Sequence, residues 1–407
     1  MTTSYRSAPG TLTLDPPLET SAAAEPQTAP SPRIADIEML RGAAVLFVVL
    51  QHAPIFLIPW PSRTLTFIFD YFGFSGGVDL FFAISGFVIG RSLLPVLERC
   101  ADDAAYLRAV LAFWIRRAWR LLPSAWLWLA LALTASVAFN RSGAFKPFEA
   151  NIATTVAALA NVEDFHGAQV WPFGATGTNF VYWSLSLEEQ FYLLLPVAAF
   201  LCRRRLPWLL AGLAAVQFVV PRSVLLNFTR TDAILLGVLV AIWSRDPTFR
   251  LFEPTGLRSS RAAGPALLII ALFGMAAITA IHHDIVSCRS AMVTLISTAL
   301  VLVASYDRDY LWPPGLAKRL LIWVGSRSYG LYLIHVPTYF LTREIWYRLL
   351  PEGEELGPAY TLRFAVTALV LLFTLAEANY RLVESPLRRH GAEIAARFAA
   401  RPVTEFA

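Results

Sequence analysis

The chain has 407 residues, of which 56% are apolar, 13% aromatic and only 15% charged, with a mean hydropathy of +0.54. Soluble domains carry about 25% charged residues, and a soluble chain of this length divides into domains joined by polar linkers; no such linker follows residue 35. The net charge of +5 expresses loop charges rather than a basic face, so it gives no reason to expect nucleic acid, and three scattered cysteines (Cys100, Cys202, Cys288) exclude a disulfide or zinc framework.

Residues 1–35 are rich in Pro, Ser, Thr and Ala and lack the apolar core of a cleaved signal peptide. They cannot bury enough surface to order themselves, so a disordered cytoplasmic tail is expected. Apolar runs long enough to cross a bilayer then recur. Spans are predicted at 38–60, 76–96, 118–139, 186–202, 206–221, 230–244, 264–282, 290–306, 319–342 and 360–381, with 148–162 as a short re-entrant or interfacial helix. The expected fold is an all-α polytopic membrane protein, a bundle of about ten transmembrane helices over residues 36–386, followed by a cytoplasmic tail over 387–407. An even number of spans puts both termini on one side. With the N-terminus inside, the cytoplasmic segments hold 23 Lys and Arg and the exterior segments 9, which is the positive-inside bias.

Ionisable groups inside spans are costly and are the natural functional candidates. In span one, Arg41 and His52 lie eleven positions apart, about 1,100° of helix, so they share a face and stand roughly 16 Å apart along the axis. Span two carries Asp79 and Ser85. Arg116, Arg117 and Arg120 precede span three, with Arg116 and Arg120 on one face and Pro123 marking entry into the membrane. Span four opens on the outer side with Trp183, Glu188 and Glu189, span six with Arg230 and Asp232, and span nine carries Tyr329, Tyr332 and His335. Each has a plainer reading. A lone His335 is as often a buried hydrogen-bonding residue, the arginine run is more often a topology anchor with snorkelling side chains, and Glu188 is a candidate structural partner for Arg230. Gly73 to Gly77 (GFSGG) fits a hydrolase nucleophile elbow in letters only, because that elbow requires a strand before it. His282-His283-Asp284 has no second ligand cluster, so no metal is expected.

The set taken together changes the weighing. Arg41-Gly42 then His52, GGVDLFFAISGF from Gly76, FWIRRAWRLLP from Phe113, WSLSLEEQFYLLLP from Trp183, RTDAILLG from Arg230, GSRSYGLYLIHVP from Gly325 and VESP from Val383 stand in one order at consistent depths. In these features the chain resembles the acyltransferase-3 family of integral-membrane acyltransferases, from about residue 36 to 386. Glu38 departs from the aspartate common in that place, and many members carry a C-terminal esterase-like domain that this sequence does not include. The resemblance implies O-acylation of an extracytoplasmic glycan or glycosylated small molecule at the inner (plasma) membrane, with cytoplasmic acyl-coenzyme A, acetyl-coenzyme A foremost, as donor and no permanently bound cofactor. His52, Arg41 and Glu188 are then the expected catalytic residues. Arg116, Arg117, Arg120 and Ser85 are expected on the donor, and Trp183, Asp79, Tyr332 and His335 on the acceptor. His52 is expected either to take the acceptor's proton or to carry the acyl group itself. The rival reading is a transporter or flippase of envelope precursors, which paired discontinuous helices in two halves would favour; no such symmetry is visible.

Overall fold

The computed structural model describes residues 1–2, 34–280, 288–351 and 353–400. Most of the expected tail, residues 3–33, and His282-His283-Asp284 lie outside the described residues, as do residues 401–407. Among the described residues the regular structure is entirely helical. In chain order the α-helices are α1 Ala35–His52, α2 Arg63–Tyr71, α3 Gly76–Glu98, α4 Asp103–Ala138, α5 Phe148–Leu159 and α6 Glu163–Val170. There follow α7 Tyr182–Cys202, α8 Leu206–Val219, α9 Val224–Phe228, α10 Asp232–Trp243 and α11 Ala263–Ile278. The last are α12 Arg289–Ser305, α13 Leu316–Ser326, α14 Ser328–Leu349, α15 Thr361–Asn379 and α16 Ser385–Ala400.

Among the described residues, six helical segments are long and apolar enough to cross a membrane: Ala35–Leu57, Gly76–Glu98, Asp103–Ala138, Tyr182–Val219, Val224–Trp243 and Pro358–Ala399. Two shorter apolar helices, Ala263–Ile278 and Arg289–Ser305, accompany them. Among the described residues each of the ten predicted spans overlaps helix, but six segments and not ten meet the length and apolarity of a span, and several boundaries differ. Tyr182–Val219 is broken at Arg203, whose φ of +46° no helix accepts. Span nine is interrupted at Arg327, where α13 ends and α14 begins, and the Arg327 guanidinium bonds Glu377 of α15 at 2.8 Å. The arginine run is continuous with span three in one 36-residue helix, about 54 Å long against about 30 Å of hydrocarbon. Pro123 sits inside that helix, because losing one backbone donor is tolerated where neighbouring helices pack around it. The C-terminal segment expected as a tail is helical to Ala400 and packs along α4, with the His390 and Trp119 rings 5.0 Å apart.

The bundle centres on α1, α3, α10 and α14, whose inward faces are apolar and fully buried, Leu80, Ile84, Ile234 and Leu333 among them. Without a hydrophobic drive between helices in lipid, close backbone approach supplies much of the packing. It is tightest where α3 crosses α10. A Cβ on Gly86 would lie 2.0 Å from the Ile234 carbonyl oxygen, and one on Gly237 would lie 2.1 Å from that of Ala83. Backbone cannot step aside as a side-chain tip can. Gly86→Ala is therefore expected to destabilise the bundle by about 1–3 kcal/mol, read as a lower unfolding temperature in detergent, whereas alanine at Gly212, which has nothing nearby, should leave it unchanged.

Candidate active site

The site begins with α1, which buries one face and ends at His52. A π-helical turn, Ala53–Leu57, follows directly with Pro54 in its first positions. Proline donates no backbone hydrogen bond, and widened turns of this kind recur at functional sites. The His52 ring is fixed from behind. Its Nδ1 lies 3.0 Å from the Val48 carbonyl oxygen and 3.0 Å from Nε2 of His335, while His335 Nδ1 lies 2.6 Å from the Tyr332 carbonyl. Carbonyls only accept, so in neutral rings both Nδ1 atoms carry the hydrogen. His335 Nε2 then accepts from His52 Nδ1–H, and His52 Nε2 is left as the ring nitrogen with a free lone pair.

Two cavities flank this arrangement. The larger, about 330 Å³, is lined by His52 together with Gln51, Asp79, Trp183, Asn227 and Arg230 among others. Trp183 stacks edge-on against Phe228 with ring centres 5.2 Å apart, and the Arg230 guanidinium lies 5.0 Å over the Trp183 ring. The smaller cavity, about 80 Å³, is lined by Arg41, Arg117 and Arg120 with Ser85, Glu188 and Tyr192. Val78 and Tyr332 stand in the walls of both. The single Tyr332 O–H donates to the Val181 carbonyl at 2.9 Å, so Ser184 Oγ, 2.5 Å away, donates to the tyrosine oxygen. That clamp holds the ring as a partition between the cavities.

The ion pairs sort the remaining charges. Arg230 forks onto Asp79, Nε to Oδ1 at 2.9 Å and Nη2 to Oδ2 at 3.2 Å, and also donates to the Asn227 carbonyl at 2.7 Å. Asp79 is thus Arg230's partner, not Glu188, because Asp79 in the first turn of α3 stands beside the start of α10. Glu188 lies one and a half turns into α7, so it faces the arginine cavity and not the mouth beside Trp183; Ser85 and Tyr192 hydroxyls both donate to it. Arg41 donates to Glu38 at 2.8 Å. Arg117 and Arg120 have no carboxylate partner among the described residues. Arg117 lies over the Tyr192 ring at 4.8 Å, and the Arg120 Nε is buried with no acceptor.

Two expected site residues fall elsewhere. Arg116 is exposed and absent from the cavity wall. Arg120 projects between Arg116 and Arg117 on the helical wheel, and the cavity takes the side that includes Arg117. His335 is fully buried and lines neither cavity, since it sits behind His52. Tyr192 and the His335-to-His52 bond escaped sequence reasoning. Tyr192 stands four residues after Glu188, a spacing that could have suggested a shared face. Beside the larger cavity, α6 buries Glu163 completely, and burial, with the neighbouring Asp164 adding to it, pushes its carboxyl up to about 9. Glu163 opens α6, and its Oε2 lies 2.9 Å from His166 Nδ1.

Comparison with known proteins adds the family. The acyltransferase-3 family model, an acyltransferase domain, matches residues 34–377. The chain belongs to the acyltransferase-3 family. Among the relatives of this acyltransferase-3 chain, the peptidoglycan O-acetyltransferase OatA of Listeria monocytogenes is 26% identical over 382 residues, covering 88% of this chain and 56% of the relative. The O-acetyltransferase OatA of Staphylococcus aureus is 26% identical over 391 residues, covering 89% and 58%. The chain thus spans a little over half the length of the curated relatives it matches. No solved structure matches it.

The Asp79–Arg230 pair is almost fully buried in this family member. Removing one partner leaves the other charge uncompensated, which costs about 3–5 kcal/mol. Asp79→Asn is expected to lower the unfolding temperature sharply, and Asp79→Asn with Arg230→Gln to recover part of that loss. Additive losses in the double variant would show that the two groups act independently.

Proposed function

We propose that the protein is a membrane O-acyltransferase that moves an acetyl group from acetyl-coenzyme A to a hydroxyl of a glycan, the donor entering at the arginine cavity and the acceptor at the His52 cavity. The observation that carries this reading is the placement of His52, buttressed by His335, in the wall of one cavity that shares Tyr332 with a second cavity holding two arginines without acid partners. Unpaired guanidinium groups in a largely apolar setting suit polyanionic phosphates. The relatives named as O-acetyltransferases support acetyl as the group transferred, and those named for peptidoglycan support a glycan as acceptor. The loop charges support both termini on the cytoplasmic side, in the order of ten spans expected from the sequence.

In the direct route, His52 Nε2 takes the proton from the acceptor hydroxyl as its oxygen attacks the thioester carbonyl. The C–S bond breaks and the thiolate leaves, to be protonated by the histidine. In the two-step route, Nε2 attacks the carbonyl first, the thiolate departs, and the acceptor oxygen then displaces the imidazole, its hydroxyl proton passing by way of the freed Nε2 to the thiolate. In both, positive charge grows on the His52 ring, and its Nδ1–H bonds to Val48 and His335 strengthen with it. The arginine cavity is too small to admit a pantetheine arm, so the donor must turn Arg117, Arg120 or Tyr332 aside on entering. Glu188, held by two hydroxyls, lines the same cavity without forming an ion pair with either arginine.

Purified protein given radiolabelled acetyl-coenzyme A without acceptor separates the routes. Label retained on wild type and lost in His52→Ala indicates an acyl-enzyme; no label in either, with turnover lost in His52→Ala by at least about 100-fold, indicates direct transfer. Full turnover in a well-folded His52→Ala variant would overturn both. On the donor side, Arg117→Ala and Arg120→Ala are expected to raise KM for acetyl-coenzyme A more than they lower kcat, because phosphate contacts persist from ground state to transition state. Arg116→Ala, outside the cavity, should raise it least.

A further inference from the structure

The wall of the His52 cavity contains two arginines, Arg230 and Arg289, and one acid, Asp79. Arg230 and Asp79 neutralise each other through a two-pronged pair. Arg289 opens α12 and is half-buried, yet it has no carboxylate, hydrogen-bond or aromatic partner among the described residues. His52, with hydrogen on Nδ1 and a lone pair on Nε2, adds no charge. Among the described residues the cavity wall therefore holds one more positive than negative charge, set beside aromatic side chains in an apolar bundle where such a charge favours an anion.

The polar atoms around it are also donors in excess. Gln51 spends its oxygen on the Phe74 N–H at 2.6 Å, and its NH₂ has no acceptor among the described residues. The Asn227 oxygen accepts from Arg230 at 3.4 Å, its NH₂ likewise has no acceptor among the described residues, and Ser290 lines the wall beside Arg289. A ligand that fits must bring acceptors and negative charge. At about 330 Å³ the cavity lies at the small end of ligand sites, which run from about 300 to 1,000 Å³, so it suits one residue of a glycan rather than a length of chain.

We propose that Arg289 is an anion subsite that selects the acceptor: the protein takes a sugar residue bearing a carboxylate or a phosphate, gripped by Arg289, while another hydroxyl of the same residue meets His52. The inference rests on the acyl-transfer reading for what happens next, but not for the binding itself. A guanidinium grips either anion bidentately, and the experiment distinguishes the two sources.

Full-length protein in detergent is titrated with paired glycosides that differ in charge, and the unfolding temperature is followed. Nitrophenyl glucuronide against nitrophenyl glucoside tests the carboxylate, and glucose 6-phosphate against glucose tests the phosphate. The expected result is that the anionic member of one pair stabilises wild type at concentrations about tenfold below its neutral twin, that Arg289→Gln abolishes the difference, and that Arg289→Lys retains part of it. Equal stabilisation by both members of both pairs, or a preference that survives in Arg289→Gln, would overturn the proposal. The unfolding temperature without ligand shows whether Arg289→Gln is folded; should it not be, the wild-type comparison and Arg289→Lys decide, and equal half-saturation of the twins in wild type overturns the subsite. The acetyl-coenzyme A experiments stand apart from this. Anion preference in a protein that neither retains label nor turns over leaves the subsite in place and removes the chemistry, whereas acetyl transfer without anion preference does the reverse.

Discussion

The bundle depends on one constraint: in an apolar surround, every charge must find a partner or have a reason to lack one. Asp79 and Arg230 meet it by pairing α3 to the entrance of α10. Asp232 meets it with Arg222 and the Thr294 hydroxyl, and Lys318 with Asp36 and Asp309, which ties the start of α1 to α13. Buried pairs of this kind contribute little net stability, because desolvation offsets much of their attraction. They do fix which helix lies beside which, since each wrong pairing would strand two ions. The exceptions gain their meaning from this background. Among the described residues Arg117, Arg120 and Arg289 form no ion pair, and each of the three lines a cavity.

The histidine pair illustrates a second principle, that a base is useful only when its lone pair points the right way. A histidine on a loose helix end would sample both tautomers and several rotamers. Here the carbonyls of Val48 and Tyr332 dictate where both hydrogens sit, and the π-turn after His52 ends the regular helix at the residue that must face the cavity. Burial of His335 then costs less than for an unsatisfied imidazole, since both its nitrogens are bonded.

Much of this was legible from residues alone, for definite reasons. Helical spans show in a sequence because lipid leaves no other way to satisfy the backbone, and the shared face of Arg41 and His52 follows from 3.6 residues per turn. Family motifs brought Glu188, Trp183 and His335 forward. What failed was everything that depends on how helices meet. The depth of Glu188 was taken from its place near the start of α7, but only the crossing with α3 shows that it faces Ser85 and the arginines. Arg116 and Arg120 share a helix face, yet which flank of that face is inward is decided by neighbours. Arg289 carried no signal, because only the fold places it in the wall of the His52 cavity.

The shared wall of the two cavities has a consequence for the cell as well as for the chemistry. A membrane that stores energy as an ion gradient cannot tolerate a hydrated path from one face to the other, since each elementary charge crossing 100 mV dissipates about 2.3 kcal/mol. A protein with the two entrances proposed above therefore needs insulation between them. Tyr332 and Val78 supply it here with a wall only one side chain thick, the tyrosine oxygen occupied by Ser184 and Val181 so that it offers protons no continuing chain of donors. In the acyl transfer proposed above, the Tyr332 ring is the side chain that the acyl group meets between the two cavities.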